Sequence, residues 1–470
     1  SERCTAGFCG GGNPDAGTPD AGLPDAATPD ALVPTTAAPV WSKAFGDSGE
    51  DWGMGLGLDR SGNLYLAGYY GGSMDLGGGA LRSAGQDDIF VASFDADGNH
   101  RWSKRFGHAD SDDWGYNLAV DADGNVYVVG FYANSVDFGD GALPSAGGDD
   151  IFVAALDADG GLRWARRFGG PGDDWCPSAA LDAAGNLYFT GYFSETVSFG
   201  GDDLTAAGAW DIYLASLDAQ GGHRWSRRFG GISGDTGRAV AVGPDNNVLL
   251  AGYTDDIVDF GGGPLQSAGD YDVLLASLDG QGQHRWSKRF GSTGRDMPRG
   301  GVVDASGRVY LRGRFMETVD FGGGPLQSAG SWDIFLASFT ADGTARWSQR
   351  FGATWDDGGD GMTTDAAGNV YLSGRFGGVV DFGGGPLHGA GLFDLFIASF
   401  APWGAHRWSL AFGGEDQDQA RGLVVDPAGN VFSTGAFAGS IDFGDGPLTA
   451  AAVTDIYLLR LTQQAEQADQ

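Results

Sequence analysis

Basic residues are scarce in this sequence. Its 470 residues include 28 Lys and Arg against 62 Asp and Glu, which gives a formal net charge of −34 at pH 7. A protein that binds nucleic acid needs lysines and arginines to displace the counterions of the phosphates, and an anionic membrane would repel this chain for the same reason. We therefore expect neither nucleic acid nor an anionic membrane as a partner.

The sequence also has no long apolar run and no catalytic motif, and its cysteines are few. No stretch approaches the ~18 apolar residues of a membrane-spanning helix, so no membrane span is predicted. The sequence has no HExxH, P-loop or dinucleotide-binding motif, and we expect a protein that is not an enzyme. Of three cysteines, Cys4 and Cys9 lie close enough for a local disulfide in an oxidising compartment. Their spacing does not match a metal site, and no cofactor is expected from it.

A repeat of 61 or 62 residues accounts for most of the chain. Its marker is a tryptophan that occurs in seven copies: Trp41, Trp102, Trp164, Trp225, Trp286, Trp347 and Trp408. Units of this kind cannot bury a core alone and must pack against their neighbours. Residues that recur in every copy are therefore expected to build the repeat.

One copy contains four segments with the composition of β-strands, at 115–121, 125–132, 150–157 and 162–168. They are short, rich in β-branched and aromatic residues, and joined by Asp- and Gly-containing turns, with no helical periodicity. This pattern predicts an all-β fold, a seven-bladed β-propeller of four-stranded antiparallel blades. The chain begins with a surplus fourth strand at 40–45 and ends on a third strand at 455–461. Pairing of the two in the last blade would close the ring.

The composition divides the chain into three parts. Residues 1–39 repeat Pro-Asp-Ala and are predicted to form a flexible, extended stalk. Residues 40–461 are the predicted propeller, and residues 462–470 a polar tail. The sequence begins at Ser1 and not at Met, which suggests either a processed form or a sequence given without its export signal.

The repeat resembles a known family. The segments WSKRFG, VDADGNVY, VDFGGGPLQSAG and DIFLASF are similar to the bacterial β-propeller repeat called SBBP. The resemblance extends over about residues 40–461, and the Pro-Asp-Ala stalk looks like those of exported bacterial surface proteins. It implies a propeller in an extracellular or cell-surface setting. It implies no reaction or ligand, so no catalytic residue is carried over.

Two acidic positions recur in all seven copies. The linker aspartates follow the link between blades: Asp51, Asp113, Asp174, Asp235, Asp296, Asp357 and Asp418. The third-strand aspartates begin the third strand: Asp88, Asp150, Asp211, Asp272, Asp333, Asp394 and Asp455. Their presence in every copy favours a structural role as acceptors for backbone N–H groups. The alternative is a Ca²⁺ site in each blade, because oxygen-rich loops suit that ion.

Aromatic residues beside these aspartates vary between copies, so ring construction does not dictate them. They are Trp52, Trp114, Trp175, Trp210, Tyr271, Trp332, Trp355 and Phe393. Aromatic rings next to carboxylates are typical of sugar-binding surfaces, where ring faces stack and hydroxyls form hydrogen bonds. We predict that these residues contact a ligand on the face that carries the long loops; the alternative is that they only cover the blade ends.

Three functions are consistent with these patterns. The favoured hypothesis is a noncatalytic binding or adhesion module at the bacterial cell surface that contacts glycan or matrix components. The second is a structural protein that assembles into filaments when the Trp41 strand completes the last blade of a neighbouring copy. The third is a scaffold stabilised by Ca²⁺.

Overall fold

Each copy of the repeat folds into one four-stranded antiparallel sheet, and seven such blades surround a central channel. The computed structural model describes residues 35–109 and 111–465, and every regular element in these ranges is a β-strand. In these ranges no helix is long and apolar enough to cross a membrane. The all-β, seven-bladed propeller predicted from the sequence is confirmed.

Strands occupy equivalent positions in all blades, here in the order of blades one to seven. The innermost strands are Asp51–Leu58, Asp113–Val120, Asp174–Leu181, Thr236–Val242, Asp296–Val303, Gly358–Thr364 and Asp418–Val425. The second strands are Leu64–Asp75, Val126–Tyr132, Leu187–Phe193, Val248–Thr254, Val309–Phe315, Val370–Phe376 and Val431–Phe437. The third strands are Ala80–Phe94, Asp150–Leu156, Asp211–Leu217, Asp272–Leu278, Asp333–Phe339, Asp394–Phe400 and Asp455–Ala465. The outermost strands are His100–Phe106, Leu162–Phe168, His223–Phe229, His284–Phe290, Ala345–Phe351, His406–Phe412 and Thr35–Phe45.

The loop between the second and third strands of each blade contains a small β-hairpin. In blade one the two long strands themselves extend to form it, with Asp75 opposite Ala80. In blades two to seven the hairpins pair Ser135–Asp137 with Ala142–Pro144, Thr196–Val197 with Leu204–Thr205, Ile257–Asp259 with Pro264–Gln266, Thr318–Asp320 with Pro325–Gln327, Val379–Asp381 with Pro386–His388, and Ser440–Asp442 with Pro447–Thr449.

Closure of the ring joins the two ends of the described chain. Thr35–Phe45 pairs antiparallel with Asp455–Ala465 as the outermost strand of blade seven. The paired strands run past the predicted propeller boundaries at 40 and 461, because residues 35–39 continue the ladder opposite 461–465. Cys4, Cys9 and most of the predicted stalk lie outside the described residues, as does the tail beyond Ala465.

The core lies between blades. Six of the third strands are buried at all seven positions from the aspartate onward, and in the seventh strand the exception is Arg460. Side chains of adjacent blades share one buried cluster, which contains Val91 of blade one together with Leu118 and Phe152 of blade two. Burial of each large apolar side chain contributes about 1.5–3 kcal/mol. Stability therefore depends on complete closure of the ring.

The marker tryptophans connect neighbouring blades. The indole Nε1 of Trp102 donates to the carbonyl oxygen of Ala158, in the outer hairpin of the next blade, at 2.8 Å. The ring lies against Gly160, which has a φ of 80° and no Cβ to block the approach. Equivalent indole hydrogen bonds to a backbone carbonyl are made by Trp164, Trp225, Trp286 and Trp347. Trp408 differs, because its indole donates to the side-chain Oε1 of Gln463 at 3.2 Å.

Candidate ligand site at the channel mouth

A β-bulge in every innermost strand places one side chain in the channel. The register between innermost and second strand shifts after the second or third residue of the strand, for example between Gly237 and Ala239. A bulge leaves one residue outside the ladder and re-aims its side chain. The bulged residues that line the channel are Met54, Tyr116, Pro177, Arg238, Arg299, Asp360 and Arg421.

The channel encloses a cavity of about 390 Å³ whose two ends differ in chemistry. The bulged residues lie near the start of the innermost strands, on the side of the long loops. The opposite end is lined by apolar residues such as Leu181, Val242 and Val303. Polar recognition is therefore restricted to the long-loop end, which we call the channel mouth.

Arginines from blades four to seven gather at this mouth. Arg238, Arg299 and Arg421 come from bulges, whereas Arg312, Arg314 and Arg375 come from second strands. Asp360 stands among them; its carboxylate accepts from Gln419 Nε2 at 2.7 Å and lies 3.5 Å from Arg421. The pKa of Asp360 is held well below its usual range, because Arg421, Arg299 and Arg312 outweigh the effect of burial.

Few protein acceptors serve these guanidinium groups. Arg312 donates to the carbonyl oxygen of Gly359 at 2.7 Å, and Arg375 reaches Gln419 at 3.5 Å. Within the described residues the Nε atoms of Arg238, Arg312, Arg314 and Arg421 are buried and have no hydrogen-bond partner. Burial lowers the pKa of Arg312 to about 9 and that of Arg314 to about 10, with neighbouring arginines adding to the effect. Both groups stay positively charged at neutral pH.

Five of the aromatic residues singled out in the sequence carry an arginine on their ring face. The guanidinium carbon of Arg314 lies 4.2 Å from the ring centroid of Trp332. The other four contacts are Arg375 with Phe393 at 4.6 Å, Arg238 with Trp175 at 4.7 Å, Arg421 with Trp52 at 5.4 Å and Arg295 with Tyr271 at 5.5 Å. Four of these rings therefore lie beside arginines of the channel mouth, and a cation and a ring face attract each other. The fifth pair lies outside it, since Arg295 is half-exposed and pairs with Asp270.

The other three aromatic residues have different surroundings. Trp114 stacks on Tyr69 with centroids 4.5 Å apart, and its indole donates to Asp87 at 3.2 Å. Trp210 packs on Tyr192 at 5.9 Å and remains 40% exposed. Trp355 is 53% exposed over the loop that follows the second strand of blade six. The indole N–H of Trp114 therefore already has an acceptor, whereas Trp210 and Trp355 expose part of their ring surface to solvent.

The third-strand aspartates are buried and form local contacts. In Asp150, Oδ2 accepts the N–H of Ala146 at 2.8 Å and pairs with Arg167 at 2.8 Å. The same ion pair joins Asp88 to Arg105, Asp211 to Arg228, Asp272 to Arg289 and Asp333 to Arg350. In blades six and seven an alanine, Ala411 or Ala44, replaces the arginine. Burial raises the pKa of Asp394 and Asp455 in these two blades.

Each linker aspartate lies beside a third-strand aspartate of the preceding blade. A Cβ at Gly230, the glycine of the Phe-Gly pair, would be 2.5 Å from Asp211 Oδ1 and 2.8 Å from Asp235 Oδ2. The lack of a side chain there lets the two carboxyl groups approach. Burial, with the neighbouring aspartate adding to it, raises the pKa of Asp235 to about 6 and that of Asp296 to about 8. The pKa is about 7 for Asp51, Asp113, Asp174, Asp357 and Asp418.

The described part of the chain contains no group of three or more His, Cys, Asp or Glu side chains that could hold a metal ion. The paired aspartates supply two carboxyl groups at each blade junction. Within the described residues, the Oδ1 atoms of Asp211 and Asp235 accept no hydrogen bond. The site at the channel mouth, by contrast, is cationic and does not suit a metal ion.

Sequence reasoning missed the arginines of the channel mouth. Their signal was present, because the position three residues after each linker aspartate is Met, Tyr, Pro, Arg, Arg, Asp and Arg in blades one to seven. Three arginines at one variable repeat position are unusual in so acidic a chain. Only the bulge, however, shows that this position faces the channel.

Comparisons with known proteins agree with the fold. Residues 101–138 match the family model described as the SBBP beta-propeller repeat. The chain is 24% identical to the regulatory protein FlaEY of Caulobacter vibrioides, over 84% of this chain and 44% of that protein. It is 21% identical to an uncharacterized WD repeat-containing protein of Acanthamoeba polyphaga mimivirus, over 89% of this chain and 33% of that one. The chain therefore spans less than half the length of these curated relatives.

Among solved structures, the chain is similar to Sqt1 from Chaetomium thermophilum. The TM-score is 0.41 and the sequence identity 12%, over 84% of this chain and 81% of that one.

Proposed function

Because the chain carries the SBBP β-propeller repeat, we propose that it is a noncatalytic recognition module whose channel mouth binds a glycan outside a bacterial cell. The observation that carries this proposal is the set of aromatic rings beside the mouth, four of which contact an arginine of the mouth. A sugar would stack on the ring face that the arginine leaves free, and the guanidinium donors without a protein acceptor would reach its hydroxyl groups.

The chemistry of the mouth supports binding without catalysis. A general acid or base needs a pKa near the working pH. Asp360, the carboxylate among the bulged residues, has a pKa well below that range and is engaged by Gln419 and Arg421. The arginines are charged at neutral pH and act as donors only. A site of this composition orients a ligand and does not exchange protons with it.

A glycan array tests the proposal. The variant with Trp210→Ala and Trp332→Ala removes two rings of the long-loop face and should weaken binding to any glycan found by about 5- to 30-fold, since each ring contact is worth about 1 kcal/mol. Trp403→Ala is the matched control, because Trp403 is 48% exposed in an outer hairpin on the opposite face. Equal binding by the double variant and the control would show that the long-loop face is not the site.

A second function, self-assembly by strand exchange, is favoured by one observation. The strand that closes the ring is held to Asp455–Ala465 by its backbone ladder, but Ala44 stands where the arginine of blades one to five pairs with the buried aspartate. Because that ion pair is missing, less free energy is needed to detach the chain's own closing strand. The strand of another copy could then pair with the same edge.

A further inference from the structure

We propose that the channel mouth holds an anionic group, namely the carboxylate or sulfate of an acidic saccharide. The saccharide part of this inference rests on the proposed function, whereas the anion rests on the channel alone. Six arginines gather there: Arg238, Arg299, Arg312 and Arg421 line the cavity, and Arg314 and Arg375 lie beside them. Asp360 is the carboxylate that faces them from the channel wall.

The charge of the mouth is opposite to that of the chain. A protein with a net charge of −34 has placed six of its 28 basic residues around one opening. Like charges brought together in a partly buried space repel one another, and an anion that enters relieves this repulsion. Blade construction does not explain the cluster, because the equivalent positions of blades one to three hold Met54, Tyr116 and Pro177.

The hydrogen-bond donors of the cluster are largely unused. Arg299, Arg238 and Arg314 donate no hydrogen bond to any residue in the described ranges, and the Nε atoms of Arg238 and Arg314 are buried. Buried donors almost always have a partner, from the protein, from water or from a ligand. The planar fork of a guanidinium group matches the two oxygens of a carboxylate or sulfate. The geometry therefore suits an oxyanion better than a neutral hydroxyl group.

The surroundings limit the ligand to a small acid or the acidic end of a chain. A cavity of about 390 Å³ lies within the ~300–1,000 Å³ range of small-molecule pockets. The acidic surface outside the mouth would repel a long polyanion, while a single charged group at the end of a saccharide avoids that repulsion. The sugar ring next to the anion would lie at the height of Trp175 and Trp332, whose arginines belong to the cluster.

Calorimetric titration of the full chain tests the inference with four probes: D-glucuronate, D-glucose, a sulfated monosaccharide and inorganic sulfate. We expect glucuronate or the sulfated sugar to bind at least tenfold more tightly than glucose, and added salt to weaken that binding. Arg299→Met should weaken acid binding about tenfold or more, since a hydrogen bond to a charged group is lost. Because Arg299 donates no hydrogen bond to the described protein, its replacement should leave folding intact.

Two further variants make the test specific. Asp360→Asn removes the opposing charge and should strengthen acid binding, a direction that structural damage would not produce. Arg60→Gln, at an exposed position in a hairpin on the opposite face, should leave binding unchanged. Acid binding that is the same in Arg299→Met as in the unmodified chain would overturn the inference.

The outcomes separate the inference from the proposed function. Equal affinity for glucose and glucuronate would overturn the proposed anion site but would not contradict glycan binding. Inorganic sulfate that binds as tightly as either acidic sugar, and depends on Arg299, supports the anion site but argues against a saccharide ligand. Preference for glucuronate over the sulfated sugar, or the reverse, identifies which acid the arginines select.

Discussion

Trp41, in the outermost strand of blade seven, lies directly opposite Arg460, whereas the other marker tryptophans lie opposite Ser or Ala. Arg460 donates to the carbonyl oxygen of Ala96 at 3.0 Å, at the position in the outer hairpin whose carbonyl accepts the indole N–H in blades two to six. The indole nitrogen of Trp41 is buried without a described partner. In blade one the guanidinium group comes instead from Arg101, next to the tryptophan, and bonds Ser93 at 2.6 Å. Blade seven has thus moved its arginine from the outermost strand to the third.

This exchange predicts a compensating pair of substitutions. Arg460→Ser alone should lower the free energy of unfolding by about 1–2 kcal/mol, because a hydrogen bond at the closure is lost. Val40→Arg combined with Arg460→Ser restores the arrangement of blade one and should recover most of that loss. Urea unfolding measures both. A double variant no more stable than Arg460→Ser would show that the two positions act independently.

Removal of the closing strand distinguishes a self-closed ring from an exchanged one. In a self-closed ring the full chain should scatter light as a single species with the mass of one chain at every concentration. A chain that lacks residues 1–45 should lose stability and aggregate, because it exposes the edge of Asp455–Ala465. A synthetic peptide of residues 35–45 added to it should restore the monomer. Large particles of the full chain that grow with concentration and vanish on truncation would instead support filaments.

The paired aspartates predict that stability falls as pH rises. The linker aspartates have folded pKa values of about 6 to 8, above the ordinary 3.8, so the folded state binds more protons than the unfolded state between these values. The resulting stability is fully present below about pH 4 and is lost as pH rises through 6 to 8. Thermal melts from pH 5 to 9 should therefore show a decreasing Tm. Asp296→Asn should be more stable than the unmodified chain at pH 9 but not at pH 5. Asp320→Asn, at an exposed hairpin position, is the control and should show no such gain.

Ca²⁺ binding is the alternative explanation for how the paired carboxyl groups are neutralised. If protons alone neutralise them, EDTA should leave the dependence of Tm on pH unchanged, and added Ca²⁺ should have little effect at pH 8. A Tm that rises with Ca²⁺ and no longer depends on pH would favour the Ca²⁺-stabilised scaffold, because a divalent ion would then replace the protons. Mg²⁺ at equal ionic strength controls for general screening.

The missing arginine of blade six predicts a stabilising substitution. Asp394 is buried and its pKa is raised by burial, while Ala411 occupies the place of Arg350 in blade five. Ala411→Arg should pair with Asp394 and raise the free energy of unfolding by about 1 kcal/mol at neutral pH. Arg350→Ala should do the reverse to Asp333. A destabilised Ala411→Arg variant would mean that blade six cannot accommodate the longer side chain.

The sequence predicted the frame of the protein better than its site. The fold and its closure follow from features that repeat, such as the tryptophan period and the surplus strand at 40–45, and these signals reinforce each other seven times. The aromatic residues were found because they adjoin the repeated aspartates. Arg238 and Arg299 were missed because simple alternation of side chains along a strand fails at a bulge, and the bulge is visible only in the pairing between strands. Arg312 and Arg314 were missed because their second-strand positions vary between copies, and of the two only Arg314 has an arginine at the equivalent position elsewhere, which is Arg375 of blade six.

The bulge also separates the lining of the channel from the frame that holds it. Met54 and the six equivalent bulged residues lie outside the hydrogen-bonded ladder, so the pairing of the strands does not depend on which residue occupies these positions. Seven positions that share one space can then be changed singly or together, and the ring should still close. Duplication supplied seven equal units, and substitution at the bulged residues, together with arginines on the second strands of blades five and six, has given the channel a cationic side and a neutral side. Each ring would therefore offer a ligand one asymmetric binding site, although its backbone repeats sevenfold.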